Sequence, residues 1–304
     1  MKKLSVLIIA LLVAALTLSG CTQTQNVLDA GWRRDYTQEV FTYEITKTGV
    51  AGEGTLVLTI RHIRGEETLT VPALDETYAL TTTEIQARAD YSIVTYDFDF
   101  GTNVMDATIV MDNNLKPVYA FRNADFSSAE VISPYRYQVT YLSGKATTVI
   151  AYKNAESGLY EKKEIADFTL PTVGATFDSD GLVFILRSLS SIGDKNCSYS
   201  YGVYTPHSGE LISLFTRSTP DQTLEDVPYF TRDNETKTVN CHKVSLTLAN
   251  IDITGKSKYI YYSASTVTAN DADMDGTPDE VRLVPVKIEE GDVTHQLKDI
   301  QVTK

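Results

Sequence analysis

Between positions 271 and 279 the chain reads Asp271-Ala-Asp273-Met-Asp275-Gly276-Thr277-Pro-Asp279, with carboxylates two residues apart running up to a glycine. Short acidic side chains at that spacing can turn several oxygens towards one centre. A hard cation such as calcium takes roughly six to eight oxygen ligands, and the glycine permits the sharp turn that wraps a loop around it. Asp271, Asp273, Asp275, Asp279 and Glu280 repel one another until a cation neutralises them, so the chemistry expected here is structural cation binding.

Other reactive residue types lack the company that catalysis needs. His62, His207, His242 and His295 stand singly, without metal-ligand spacing. Gly255-Lys256-Ser257 echoes a phosphate loop, but Asn250 occupies the place of its leading glycine. Cys241 and His242 are neighbours in a strand and therefore point to opposite faces. The acid pairs Asp97/Asp99 and Asp106/Asp112 sit on the polar positions of strands and could serve a glycosidase, yet no sugar cleft is legible around them.

The chain starts with Lys2-Lys3 and an uncharged apolar run from Leu4 to Leu18, followed by Ser19-Gly20-Cys21. This run is shorter than the roughly 20 apolar residues of a membrane-spanning helix. Leu18-Ser19-Gly20-Cys21 resembles the lipobox of bacterial lipoproteins. That resemblance implies cleavage before Cys21, a diacylglyceryl group on its thiol, and a further acyl chain such as palmitate on its amine. It predicts a signal peptide at 1–20, a lipid-anchored tether at 21–37 and a folded domain at 38–304. The protein is then exported and held on the extracytoplasmic side of a membrane by lipid at Cys21; two or three acyl chains bind stably where one binds weakly.

Without residues 1–20, which hold two lysines and no acid, 25 basic residues face 40 acidic ones. Such a surface repels nucleic acid and anionic headgroups, so no nucleic-acid partner is expected. With Cys21 assigned to lipid, Cys197 and Cys241 remain as a disulfide candidate in an oxidising compartment, or as two buried free thiols.

Period-two alternation predicts antiparallel sheet with one wet face. Leu56, Leu58 and Ile60 alternate with Thr55, Thr59 and Arg61, and Tyr96, Phe98 and Phe100 with Thr95, Asp97 and Asp99. The same rhythm carries Met105 to Met111, Tyr137 to Tyr141 and Val244 to Leu248. One segment breaks it: Leu182, Ile185, Leu186 and Leu189 lie on one helical face, with Asp178 or Ser179 able to cap its start. The expected fold is all-β: a strongly curved antiparallel sheet or incomplete barrel, with one short helix against its concave side.

Phe177-Asp178 followed by Phe184-Ile185-Leu186-Arg187 resembles the Tyr-Asp…Tyr-x-Leu-Arg signature of an uncharacterised family of exported bacterial β-proteins. Tyr43-Glu-Ile with Gly52, and the run Arg282 to Ile288, fit the same family. The resemblance implies structural roles for Asp178 as helix cap and for Arg187 in an internal ion pair, and carries no activity with it. Ser179 and Gly181 stand where that family usually has Pro and Ser. The acidic loop in turn resembles those of EF-hand, dockerin and thrombospondin type 3 sites. By that likeness Asp271, Asp273 and Asp275 ligate calcium through side chains and Thr277 through its carbonyl, while Asp279 ligates directly or through water. Arg282 replaces the terminal glutamate of an EF-hand, and strands rather than helices are expected on either side.

The function expected from these readings is non-catalytic: a calcium-stabilised lipoprotein that acts in binding or as an envelope component. A bent sheet lined by Tyr, Phe, Ile and Met resembles the half-barrels that shelter acyl chains in lipoprotein carriers, which implies a hydrophobic small ligand. The alternatives are a surface hydrolase acting on polysaccharide or peptide, and a structural or adhesive module.

Overall fold

The computed structural model describes residues 33, 35–126, 133–171, 175–188, 198–218, 223–231, 235–248 and 258–304. Alternation builds β1 (Gln38–Lys47), in which Phe41, Tyr43 and Ile45 are buried, and β2 (Val50–His62), which buries Leu56, Leu58 and Ile60. A hairpin of β3 (Glu67–Leu74) and β4 (Leu80–Ala87) then forms a two-stranded sheet of its own. Next come β5 (Ser92–Phe100), which pairs antiparallel with β2, and then β6 (Asn103–Met111), β7 (Pro117–Asp125), β8 (Tyr135–Leu142) and β9 (Lys145–Lys153), each antiparallel to the one before. The short β10 (Tyr160–Lys163) and β11 (Phe168–Thr169) both pair with β9.

β12 (Thr176–Asp178) leads through a 3-10 turn at Ser179–Gly181 into the helix α1 (Leu182–Leu186). The chain returns through β13 (Ser198–Thr205), β14 (Glu210–Ser218), β15 (Glu225–Phe230), β16 (Thr236–Leu248) and β17 (Lys258–Ser263). A two-residue pair, β18 (Val267–Thr268) and β19 (Glu280–Val281), carries the acidic loop. β20 (Pro285–Glu290) and β21 (Val293–Thr303) complete the chain.

Seventeen of these strands make one sheet, ordered β12–β13–β14–β16–β17–β20–β21–β1–β2–β5–β6–β7–β8–β9 with β10, β11 and β15 attached. Among the described residues every pairing is antiparallel except β12 with β13. The sheet curls around α1. No backbone ladder joins its two ends among the described residues, so the barrel is incomplete. Side chains span the gap instead: the Thr148 and Tyr204 hydroxyls lie 2.7 Å apart, and the Phe168 ring stands 5.5 Å from that of Tyr204.

α1 is wrapped more completely than one apolar stripe predicts. Leu182, Val183, Phe184, Ile185 and Leu186 are all buried. The Tyr262 hydroxyl donates to the Val183 carbonyl at 2.6 Å, tying the helix to β17. Leu189, the last residue of the expected face, lies outside the described residues.

The expected wet outer face is also interrupted. Val110, Tyr119 and Phe121 point outward from β6 and β7, and they are buried in a second core with Ile63, Leu69 and Val71. The β3–β4 hairpin is laid over this part of the sheet. Tyr119 donates to the Pro72 carbonyl at 2.6 Å, the Leu74 amide to Gln138 at 2.9 Å, and Arg136 to the Tyr78 carbonyl at 3.0 Å.

The body begins earlier than residue 38. Tyr36 is buried and donates to the Glu280 carbonyl, and Arg33 donates to the carbonyls of Asp90 and Asn113, each at 2.9 Å. These residues carry no period, so nothing in their spacing marks them as part of the fold. Among the described residues no helix is long and apolar enough to cross a membrane.

Candidate functional site

The ionisable residues inside the curl hold α1 in place. Asp178 caps the 3-10 turn by accepting the Asp180 amide at 2.8 Å, and it also accepts the Tyr141 hydroxyl. Asp180 pairs with Arg122 and accepts the Tyr137 hydroxyl. At the other end of the helix, Arg187 grips Glu39 through two bonds of 3.0 Å and donates to the Arg282 carbonyl at 2.9 Å. His62 completes this cluster, its Nε2 lying 3.4 Å from Glu39. Burial opposes ionisation of Glu39, but Arg187 and the His62 bond outweigh it and hold the carboxyl below its usual range. Burial pushes His62 down. Asp178 goes the other way: burial, then the charge of Asp180, pushes its carboxyl up to about 7.

The acidic loop joins β18 to β19, with Asp279 and Ala269 bonded across its neck at 2.7 Å. One oxygen each of Asp271, Asp273 and Asp275 can lie within 4.8 Å of the others, which fits a shared cation. The loop is shaped by its own backbone. Asp271 accepts the amides of Asp275 (3.1 Å) and Gly276 (2.8 Å), Asp275 accepts the Thr277 amide (2.8 Å), and Gly276 adopts a φ of +91°. Asp279 is set apart from that trio, accepting the Ala272 amide at 2.9 Å. Lys304 reaches back to Asp273 (2.6 Å) and Asp279 (2.9 Å), and its hydrogen bond holds the Asp273 carboxyl below its usual range. Arg282 is turned to Asp35.

Cys21 and Cys197 lie outside the described residues. Cys241 is buried with a free thiol that donates to the Val239 carbonyl at 3.7 Å, and burial pushes that thiol up to about 12. Of the histidines, His62 and His295 are buried and His207 lies against Tyr135 and Tyr152.

Sequence reasoning missed a groove of about 490 Å³ on the outer face of β2, β5, β6 and β7, bordered by the β3–β4 hairpin. Its floor is two ranks of side chains running across the strands. One rank is Val57–Asp97–Asp106–Asn123 and the next is Thr59–Thr95–Thr108–Phe121, each residue paired with its neighbour in register. The following rank starts at Arg61, which pairs with Glu67 of the hairpin, and continues as Ile93–Val110–Tyr119, the apolar set that the hairpin covers. Pro72 and Leu80 of the hairpin border the groove, and Leu80 is 53% exposed. The site therefore arises where the outer face changes from apolar through hydroxyl to acidic.

A local signal for it exists. Gly101 and Thr102 make a two-residue turn, Gly101 with a φ of +67°, which pairs Phe100 with Asn103 and so sets Asp97 against Asp106. The acid pairs read along single strands, Asp97/Asp99 and Asp106/Asp112, are thus replaced by a pair across two strands.

No family model and no curated protein matches this chain. Among solved structures it is similar to a β-barrel-like protein of the domain of unknown function DUF1849 from Brucella abortus, at 11% identity over 88% of this chain and 99% of that one, with a TM-score of 0.39.

Proposed function

We propose that the protein is a lipoprotein, anchored through Cys21 on the extracytoplasmic side of a membrane, that binds an amphipathic small molecule without transforming it. The observation that carries this reading is the groove of about 490 Å³ under the β3–β4 hairpin. That volume is in the roughly 300–1,000 Å³ range of small-molecule sites, and the groove offers apolar and polar walls together. Its border is preorganised by three bonds: Tyr119 and Arg136 donate to the Pro72 and Tyr78 carbonyls, and Gln138 accepts the Leu74 amide. The buried acids of the curl are engaged with Arg187, Arg122 and Tyr141, which supports a structural use for them rather than turnover. Calcium at Asp271, Asp273 and Asp275, with Thr277 and Asp279 in the same loop, is proposed as a stabiliser of the body. The leader supports the address: Cys21→Ala is expected to release the protein from the membrane fraction.

Native mass spectrometry of the mature protein, extracted from its own membrane, tests the binding role. The expected spectrum shows a bound small molecule. Thr95→Trp, which fills the groove floor, is expected to lose that mass while keeping the urea midpoint. A bound mass indifferent to Thr95→Trp, or no bound mass in either protein, overturns the reading.

A further inference from the structure

We propose that the groove selects its ligand by positive charge, taking a protonated amine with an apolar body. This inference rests on the groove being a ligand site and adds the class of ligand.

Asp97 and Asp106 face each other across β5 and β6 on the groove floor, and both are exposed. Like charges directly opposite in a sheet destabilise it, so the arrangement costs the fold something. Elsewhere on this protein, acids of the same sheet sit beside cations: Glu44 with Lys298, Glu225 with Lys243, Glu289 with Lys287, and Glu290 with Lys258. No Lys or Arg pairs with Asp97 or Asp106 among the described residues. Asp106 accepts from Asn123 Nδ2 at 3.5 Å. Arg136, which follows on β8 in the same rank, is engaged elsewhere: it donates to Asn123 Oδ1 at 2.9 Å and lies over the Tyr160 ring. That bond also fixes the Asn123 amide with its N–H side towards Asp106.

An ammonium group is a compact donor of three hydrogen bonds, so one such group can satisfy both carboxylates and relieve their repulsion. The apolar body of the ligand then has Val57 at one end of the acidic rank, Phe121 at the end of the next, and Leu80 and Pro72 at the border. Thr59, Thr95 and Thr108 are short and leave the space between open. The groove has the volume of a small-molecule site, and the amine is proposed as a free ligand.

The test compares a naphthylalkylamine with its neutral N-acetyl derivative by calorimetry. The proteins are the mature wild type, the double variant Asp97→Asn/Asp106→Asn, and Thr95→Trp. The wild type is expected to bind the amine about tenfold or more tightly than its acetylated form. That preference weakens in high salt and disappears in the double variant, which still binds the neutral probe. The double variant is also expected to melt no lower than the wild type, since the substitutions remove a repulsion. Equal binding of both probes by the wild type, abolished by Thr95→Trp, overturns charge selection and leaves the groove as a ligand site. Failure of the wild type to bind either probe overturns both.

Discussion

Two buried acids in the same curl answer to opposite physics. Glu39 is ionised because Arg187 meets it with two bonds of 3.0 Å and His62 adds a third contact. Removing one member of such a buried pair leaves a bare charge, which costs more than the pair itself contributes. Arg187→Met is therefore expected to lower the unfolding free energy by about 3–5 kcal/mol in urea titrations, and Glu39→Met/Arg187→Met to recover much of the loss. A single variant within about 1 kcal/mol of wild type would show that the pair does not hold α1. Asp178 has no cation to itself, and its folded carboxyl is pushed up to about 7, whereas an unfolded aspartate titrates near ~3.9. The folded state binds that proton more tightly, so the stability it contributes is whole below about pH 4 and is lost as pH rises to about 7. Asp178→Asn cannot titrate. The stability of wild type minus that of the variant is expected to fall across this window, by on the order of a few kcal/mol, and to level off above it. A difference that stays flat from pH 4 to pH 8 defeats this assignment. Comparing with the variant also cancels the histidines, among them His295, which burial pushes down to about 4.

At the scale of elements, the β3–β4 hairpin both completes the second core and makes the groove. Leu69 and Val71 are buried against Val110 and Phe121, so the hairpin is held chiefly by apolar contact, with the hydrogen bonds of Pro72, Leu74 and Tyr78 fixing its position. Leu69→Ala is expected to cost about 2–4 kcal/mol if the hairpin unfolds with the rest. Hydrogen exchange gives the finer reading: β3 amides should lose protection in this variant while those of β1 keep theirs, and unchanged β3 protection would refute the hairpin's dependence on Leu69. These elements differ in how far the chain itself discloses them. The inward sets Leu56–Leu58–Ile60 and Tyr96–Phe98 were legible because alternation is a property of one strand. The burial of Val110, Tyr119 and Phe121 was not, because a long-range contact with the hairpin decides it. The acidic loop was legible as a local motif, whereas its bond to Lys304 joins residues 31 positions apart.

At the scale of the whole molecule, the acidic loop sits where both ends of the described chain meet. Thr37 bonds to Thr303 (2.7 Å), Tyr36 to Glu280 (2.9 Å), and Asn270 to Val302 (3.1 Å), so the loop, β21 and the segment leading back towards Cys21 form one cluster. Lys304 already supplies one positive charge to Asp273 and Asp279. A calcium ion drawing on Asp273 competes with that ammonium, and this sets two opposed expectations. Without calcium, Lys304→Gln is less stable than wild type, because Asp273 and Asp279 lose the lysine that bridges them. Calcium is expected to stabilise the variant more than the wild type, because in the variant it has no Lys304 ammonium to displace. Extracellular calcium loops bind at about 0.1–1 mM, so 10 mM calcium stabilises a one-site protein by about 1.4–2.7 kcal/mol, or a few degrees in Tm. The wild type is expected to show the lower part of that range and Lys304→Gln the higher. Asp271→Asn/Asp273→Asn/Asp275→Asn is expected to melt at the same temperature with and without calcium. If calcium shifts the triple variant as much as the wild type, the ion acts elsewhere; if it shifts neither the wild type nor Lys304→Gln, the loop is a lysine-capped turn and not a metal site.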